Sequence, residues 1–427
     1  MLMTLTFVGL LTAMAIGVPI AWTLGIVGFV SLIFMGVPLH TVPQKLFTGM
    51  DCFPLMCIPF FILAGEIMAI GGLSTRLLNF ALLFVGSLRG GLAMASVIAS
   101  MIFGGITGSG IADASALGAV GIPMMKKAGY DKTFAAAVVG AAGCIGPIIP
   151  PSIPVVVYAM AVGGVSIGGM FAAGLVPGVI IGLALMVAVY IISRKRNYPK
   201  REEKVTFKEF AIDLKDALLA LMMPLIILGG IISGVFTPTE AASVAVVYSF
   251  LVSYFIYREL RLSELPQIFL RSGVTSAVVM IIIGTSNIFG LVVAFEQLAL
   301  KLEAILRPMG YISFILTVNI IFLIVGTFMD QNPAILILAP IFAPIAVHLG
   351  MDPIHFGIIV VINLVIGLIT PPLGEILFVV SPLARVTIED VTKEIMPFMI
   401  LEIGILFLVS YVPVIPLYVP KLLGYIR

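Results

Sequence analysis

Long apolar runs separated by short polar segments make up almost the whole chain. A membrane-spanning helix needs about 20 mostly apolar residues. Runs of this kind recur from the first 34 residues onward and include the pair at 217–234 and 241–257. The pattern predicts an all-α polytopic membrane protein with about ten transmembrane passes. The opening run has no basic start and is longer than a signal-peptide core, so we expect a retained first helix.

Composition supports a bilayer rather than an aqueous setting. Apolar residues make up 61% of the chain and charged residues 10%, against about 25% charged residues in soluble domains. A net charge of +2 gives no indication of nucleic-acid binding. Three cysteines and three histidines lie too far apart for a metal cluster, so we expect no transition metal and no organic cofactor.

The basic residues predict how the chain crosses the membrane. They concentrate in a linker at 194–216, which the positive-inside rule places in the cytoplasm. Two predicted passes return the chain to a second basic segment at 258–265. Lys126 and Lys127 fall on the same side, and both termini are then predicted to be periplasmic.

Two proline-rich motifs interrupt the apolar runs. They are GPIIPPSIP from Gly146 and GLITPPLGE from Gly367, and the two glycines stand 221 positions apart, as do both proline pairs. Because proline removes a backbone donor, each motif predicts a broken helix, the first at 132–161 and the second at 353–384.

Each predicted broken helix follows a segment whose sequence is not typical of a single transmembrane helix. The segment 91–125 has the small and polar centre GGITGSGIADAS, and 311–348 has the centre GTFMDQNPA. We predict a re-entrant hairpin at each. The chain then divides into two repeats, 1–193 and 217–427. Because each repeat has an odd number of passes, the repeats are inverted, which is typical of secondary transporters.

Hairpin tips and helix breaks expose backbone groups that lipid cannot satisfy. We expect tips and breaks to meet near the membrane midplane, with carbonyl ends facing a cation and amide ends facing an anion. The candidate cation-binding residues are Thr107, Ser109, Asp113, Gly146, Pro150, Thr327, Asp330, Asn332, Thr370, Pro371 and Gly374.

Asp113 and Asp330 would need neutralisation at membrane depth, where a carboxylate costs roughly 2.5 to 3.5 kcal/mol. No Lys or Arg lies within either tip. Oxygen ligands favour a hard cation such as Na⁺, and protonation is the alternative. A purely structural role, with close packing at the glycines and simple kinks at the prolines, is the competing interpretation.

The motifs GGITGSGIADASALGAVGIPMMKKAGYD, GPIIPPSIPVVVYA, GVFTPTEAASVAVVY and TPPLGEILFVV resemble the large membrane subunit of tripartite ATP-independent periplasmic (TRAP) transporters. The resemblance implies Na⁺-coupled uptake across a bacterial inner membrane, by an elevator movement of a transport domain past a scaffold. It implies two partners, a periplasmic binding protein and a small four-helix membrane subunit on a separate chain. The implied substrate is a small organic anion of the sialic acid or C4-dicarboxylate type, bound near Ser109, Ser152 and Asp330.

Four other functions compete with this one. A free-standing Na⁺/dicarboxylate symporter would need no binding protein, and an ion channel would need a continuous pore. The sequence lacks the motifs of an intramembrane hydrolase, and it lacks the Gly-x-x-x-x-Gly-Lys phosphate loop of an ATP-driven pump. We therefore expect a transporter and not an enzyme.

Overall fold

The computed structural model describes residues 2–200 and 206–426, and this described part is built almost entirely of helices. The helices before the linker are α1 Leu2–Ala15, α2 Ile20–Phe34, α3 Thr41–Met50, α4 Cys57–Ile70, α5 Leu73–Val85, α6 Gly91–Thr107, α7 Gly110–Lys127, α8 Lys132–Gly143, α9 Ile153–Val162 and α10 Ile167–Lys195. The helices after it are α11 Phe207–Ile232, α12 Pro238–Leu251, α13 Leu265–Phe295, α14 Leu298–Leu306, α15 Gly310–Gly326, α16 Gln331–His348, α17 Pro353–Gly367, α18 Glu375–Ala384, α19 Ile388–Tyr411 and α20 Val414–Leu422.

Eight segments of the described residues are long and apolar enough to cross a membrane. Several further apolar helices are shorter, among them α8, α9, α17 and α18. The all-α membrane fold predicted from the sequence is confirmed, while the number of passes stays a prediction.

The opening of the chain differs from the single helix expected there. The structure has two helices, because α1 ends at Ala15 and α2 begins at Ile20. Gly17 lies between them with φ of +88°, a left-handed conformation that favours glycine. Pro19, which has no N–H to donate, follows just before α2.

The predicted hairpins and breaks fall on defined helix pairs. The segment 91–125 corresponds to α6 and α7, and 311–348 to α15 and α16. The predicted broken helices are α8 and α9, separated by residues 144–152, and α17 and α18, separated by residues 368–374. Each break contains a cis peptide bond between two prolines.

The helix α13 connects two parts of the packing. It packs against α2, α3 and α4 on one side and touches α16 on another. The helices α7, α8, α18 and α19 pack together, as do α15, α16 and α17. Helix α16 also packs against α9, so the hairpins and breaks are in contact with one another, and α16 connects them to α13.

Candidate ion and substrate site

The first hairpin tip brings the carboxyl end of α6 against the amino end of α7. Gly108 makes the turn with φ of +61°, which a residue with a side chain rarely adopts. Ser109 caps α7, since its hydroxyl accepts a hydrogen bond from the backbone N–H of Ala112 at 3.5 Å. Glycine followed by serine therefore explains why the chain reverses here.

Asp113 lies in the first turn of α7 and is fully buried. The hydroxyl of Thr107 donates to its Oδ1, and Thr107 Oγ1 accepts from the backbone N–H of Ser109 at 3.3 Å. Asp113 Oδ2 has no hydrogen-bond partner in the described part of the chain. One buried carboxylate oxygen is thus left for an additional ligand, which is the arrangement that a bound cation would complete.

The unpartnered oxygen packs closely against two glycines. A methyl group placed on Gly104 would lie 3.0 Å from Asp113 Oδ2, and one placed on Gly146 would collide with that oxygen. Gly146 belongs to the first helix break, so the hairpin and the break meet at this carboxylate. Only residues without a side chain allow this close approach.

The first break also contacts the tip through its backbone. The N–H of Ile153 donates to the carbonyl oxygen of Gly108 at 3.4 Å, and the carbonyl oxygen of Pro150 lies close to Gly105. Ser152 is fully buried; its hydroxyl donates to the carbonyl oxygen of Pro147 and accepts from the N–H of Val155 at 3.3 Å. In this structure Ser152 therefore acts as the helix cap of α9.

The second tip and break make a similar contact. The N–H of Leu373 donates to the carbonyl oxygen of Thr327 at 3.1 Å. Thr370 lies in the break, where its hydroxyl donates to the carbonyl oxygen of Ile366 at 2.8 Å. Gly374, with φ of +45°, ends the break before α18, and Pro371 lies within the break. Unlike the first break, this one is partly exposed to solvent.

Asp330 caps α16 at the second tip, as Ser109 caps α7 at the first. Its Oδ1 accepts from the N–H of Gln331 at 2.7 Å, and its Oδ2 accepts from Asn332 Nδ2 at 3.4 Å. Ser109 and Asp330 are separated by the same 221 positions as the two breaks. The two caps therefore occupy equivalent places in the two hairpins.

Glu375 is a residue of this region that the sequence analysis did not select. Its carboxylate lies near enough to that of Asp330 for the two charges to interact. Glu375 directly follows the TPPLG motif within an apolar segment. An acid in such a segment indicates a functional position, so the sequence could have identified it.

Both tips line one cavity of about 610 Å³, which we call the tip cavity. The tips contribute Thr107, Ser109, Asp330, Gln331 and Asn332. Gln331 Oε1 and Asn332 Oδ1 are buried without hydrogen-bond partners among the described residues. Ser109 and Asp330 therefore line the same cavity. Asp113 and Gly146 do not line it, and Asp113 is connected to it only through the hydrogen bond from Thr107, which does. Ser152, Thr370, Pro371 and Gly374 do not line this cavity.

The opposite wall of the tip cavity carries charges that do not belong to the tips. Arg271 comes from α13 and Glu66 from α4. Neither tip contains a basic residue of its own, and Arg271 was not among the predicted site residues because α13 is distant in sequence from both tips.

A second cavity of about 410 Å³, the far cavity, lies further along the same helix. Its polar lining residues include Lys45 and Thr48 from α3 and Ser286 and Asn287 from α13. Helices α9 and α16 line both cavities, and so does α13. The tip cavity and the far cavity therefore lie at different levels along α13.

Comparison with known sequences identifies the family. The family described as "Tripartite ATP-independent periplasmic transporter, DctM component" matches residues 7–415. The chain belongs to the DctM family. This confirms the resemblance to TRAP transporters and assigns the chain to the large permeases of TRAP-type transporters for organic acids, in a multi-pass inner-membrane location.

Relatives within the DctM family differ in the substrate that their names record. The chain is 44% identical to the C4-dicarboxylate large permease of Pseudomonas aeruginosa, covering 94% of each chain. It is 37% identical to the sialic acid large permease of Vibrio cholerae, covering 98% of each. It is 42% identical to the isethionate permease DctMQ of Oleidesulfovibrio alaskensis, with 95% of this chain covered but only 64% of that relative. All three are named as permeases, in agreement with the expectation that this DctM-family chain is not an enzyme.

Solved structures share the fold at low sequence identity. The Alcanivorax borkumensis YdaH transporter has a TM-score of 0.57 and 13% identity, with 87% of this chain and 88% of that chain covered. The Neisseria gonorrhoeae MtrF structure has the same TM-score and 14% identity, with 87% and 83% covered. Both comparisons concern the fold alone.

Proposed function

We propose that this DctM-family permease couples the uptake of a small organic anion to Na⁺, moving the anion by an elevator mechanism. A periplasmic binding protein delivers the anion, and a small four-helix membrane subunit on a separate chain supports the permease. Both termini lie in the periplasm. The observation that carries the proposal is the unpartnered Oδ2 of Asp113, which faces the first helix break at Gly146.

Na⁺ fits the surroundings of Asp113 because its usual ligands are oxygen atoms. Asp113 supplies a carboxylate, Thr107 supplies a hydroxyl oxygen, and the first break supplies carbonyl groups near the tip. No basic side chain forms an ion pair with Asp113 among the described residues. A cation that enters with the substrate would neutralise this buried acid and couple ion binding to the tip.

The paired cavities support the elevator movement. Arg271 lines the tip cavity and Asn287 the far cavity, and both lie on the continuous helix α13. At 1.5 Å per residue they are separated by about 24 Å along the helix axis. If the body that carries the hairpin tips slides along α13, the tips pass from one cavity to the other.

The names of the relatives support the proposed kind of substrate. Their names record C4-dicarboxylates, sialic acid, 2,3-diketo-L-gulonate and isethionate. These compounds are all small organic anions, which supports a substrate of the sialic acid or C4-dicarboxylate type.

Uptake of radiolabelled sialic acid into proteoliposomes tests the proposal. The vesicles contain this chain and its small subunit, and the binding protein and an inward Na⁺ gradient are each present or omitted. We expect uptake only when both are present. Uptake that needs Na⁺ alone would instead identify a free-standing symporter, and uptake without a gradient would contradict ion coupling. The same four conditions are repeated with succinate to cover the dicarboxylate alternative.

A further inference from the structure

Each of the two cavities has one basic side chain in its lining. The tip cavity has Arg271 and the far cavity has Lys45, and both residues are exposed. Neither forms an ion pair with another described residue. An anion that enters either cavity therefore meets one unpaired positive charge.

The rest of the polar lining suits hydroxyl groups rather than a second negative charge. In the tip cavity, Gln331 Oε1 and Asn332 Oδ1 are buried acceptors without partners in the described structure. In the far cavity, Ser286 Oγ is buried without a partner as well, and Asn287 lies beside it. A buried polar atom without a partner costs free energy, and a ligand hydroxyl would recover it, because a hydroxyl can donate to the amide oxygens and either donate to or accept from Ser286.

The charges of the tip cavity also disfavour a dianion. Glu66 and Asp330 both line this cavity together with Arg271. A second ligand carboxylate would face these acids without a second basic residue. Like charges in a partly dehydrated site repel strongly. A ligand with one negative charge would pair with Arg271 and donate its hydroxyl groups to the acids and amides.

We propose that the substrate is a hydroxylated monoanion, and that Arg271 and Lys45 bind its charged group in the tip cavity and in the far cavity. The proposal rests on the transport function above, because one substrate visits both cavities only if the permease alternates between them. It narrows that function to one chemical class, in which a sugar acid fits and a plain dicarboxylate does not.

Ligand binding to the purified chain with its small subunit tests the substrate class. The probes are D-gluconate and N-acetylneuraminate, which carry one carboxylate and several hydroxyls, and succinate, which carries two carboxylates and no hydroxyl. We expect binding of at least one hydroxylated acid at saturating NaCl, with weaker binding of succinate. Tighter binding of succinate overturns the proposal, and so does the absence of binding by both hydroxylated acids.

The role of Arg271 is tested in the same assay. Arg271→Gln should weaken binding of the hydroxylated acid by roughly tenfold or more, since a hydrogen bond to a charged group is lost. Arg271→Lys should recover part of the affinity because it keeps the charge. Arg194→Gln is the matched control, since Arg194 is exposed and lines neither cavity. Unchanged binding by Arg271→Gln overturns the assignment of Arg271.

The role of Lys45 is tested by uptake from the outside of proteoliposomes. Lys45→Gln should raise the KM for external substrate several-fold, and Lys421→Gln, an exposed control outside both cavities, should not. An unchanged KM overturns the assignment of Lys45. Stabilisation of the purified protein by Na⁺ is measured in parallel. If Na⁺ stabilises the protein but no hydroxylated acid binds, only the proposed substrate class is contradicted. If Na⁺ does not change the stability of the protein, the proposed ion coupling is contradicted.

Discussion

Cys144 donates a hydrogen bond from its Sγ to the carbonyl oxygen of Val365, at 3.6 Å. The two residues stand 221 positions apart, which is the interval that relates Gly146 to Gly367 and both pairs of prolines. Positions that are equivalent in the two predicted repeats therefore touch each other in the protein interior. The contact joins the first residue of the first break to α17, two residues before that helix ends and the second break begins.

Gly146→Ala tests the contact between the first break and the first tip. The added methyl group would collide with Asp113 Oδ2, so we expect lost uptake and a destabilisation of about 1 to 3 kcal/mol, typical of overpacking. Gly404→Ala is the control, because Gly404 has open space around it. Uptake and thermal unfolding in detergent measure both effects. Normal uptake by Gly146→Ala would contradict the packing described here.

Asp113→Asn tests the proposed Na⁺ site. The amide keeps the shape of the side chain and an acceptor for the Thr107 hydroxyl but removes the negative charge. We expect Na⁺-dependent uptake to disappear while the protein still inserts and folds. Stabilisation of the purified protein by NaCl should disappear as well, and it should persist in Asp216→Asn, whose aspartate is exposed. Stabilisation by Na⁺ that survives in Asp113→Asn would place the ion elsewhere.

Thr107→Val removes the hydroxyl that donates to Asp113. Loss of a hydrogen bond to a charged group costs about 1.5 to 3 kcal/mol, so the Na⁺ concentration for half-maximal uptake should rise by roughly tenfold or more. Thr107→Ser keeps the hydroxyl and should stay close to the original protein. Equal Na⁺ dependence of the two variants would show that the hydroxyl is not part of the site.

Asp330→Ala tests the second tip. The substitution removes a helix cap and one of the side chains that line the tip cavity. We expect uptake to be abolished while membrane insertion and folding are largely kept. Insertion is checked by protease protection of the basic linker. Normal uptake by a correctly inserted variant would remove Asp330 from the site.

Asn319→Ala tests a buried polar contact between three helices. Asn319 Oδ1 accepts from Asn363 Nδ2 at 2.8 Å, and Asn319 Nδ2 donates to Ser410 Oγ at 3.1 Å. Hydrogen bonds between membrane helices contribute about 0.6 kcal/mol on average, so the loss of both should destabilise the protein by about 1 kcal/mol. Denaturant unfolding in detergent measures this change, and Na⁺-dependent uptake should keep its KM. A changed KM would indicate that the contact also shapes the site.

The sequence by itself determined the helical membrane class and the places where helices are interrupted. Both depend on local properties, because hydropathy indicates burial in lipid and proline or glycine interrupts a helix wherever it stands. The fixed interval between the two motifs also indicated which residues to compare. Asp113 and Asp330 were therefore recognisable as candidates before any contact was known.

Only the tertiary structure decided which side chains share a site. Arg271 and Glu66 line the tip cavity because α13 and α4 pack beside hairpins that are distant in sequence. Ser152 is a further example, because the resemblance implied a place near the substrate, which stays a prediction, and the structure adds that its hydroxyl caps α9. Local sequence shows where a helix breaks, but the partner of each exposed group depends on how distant helices pack.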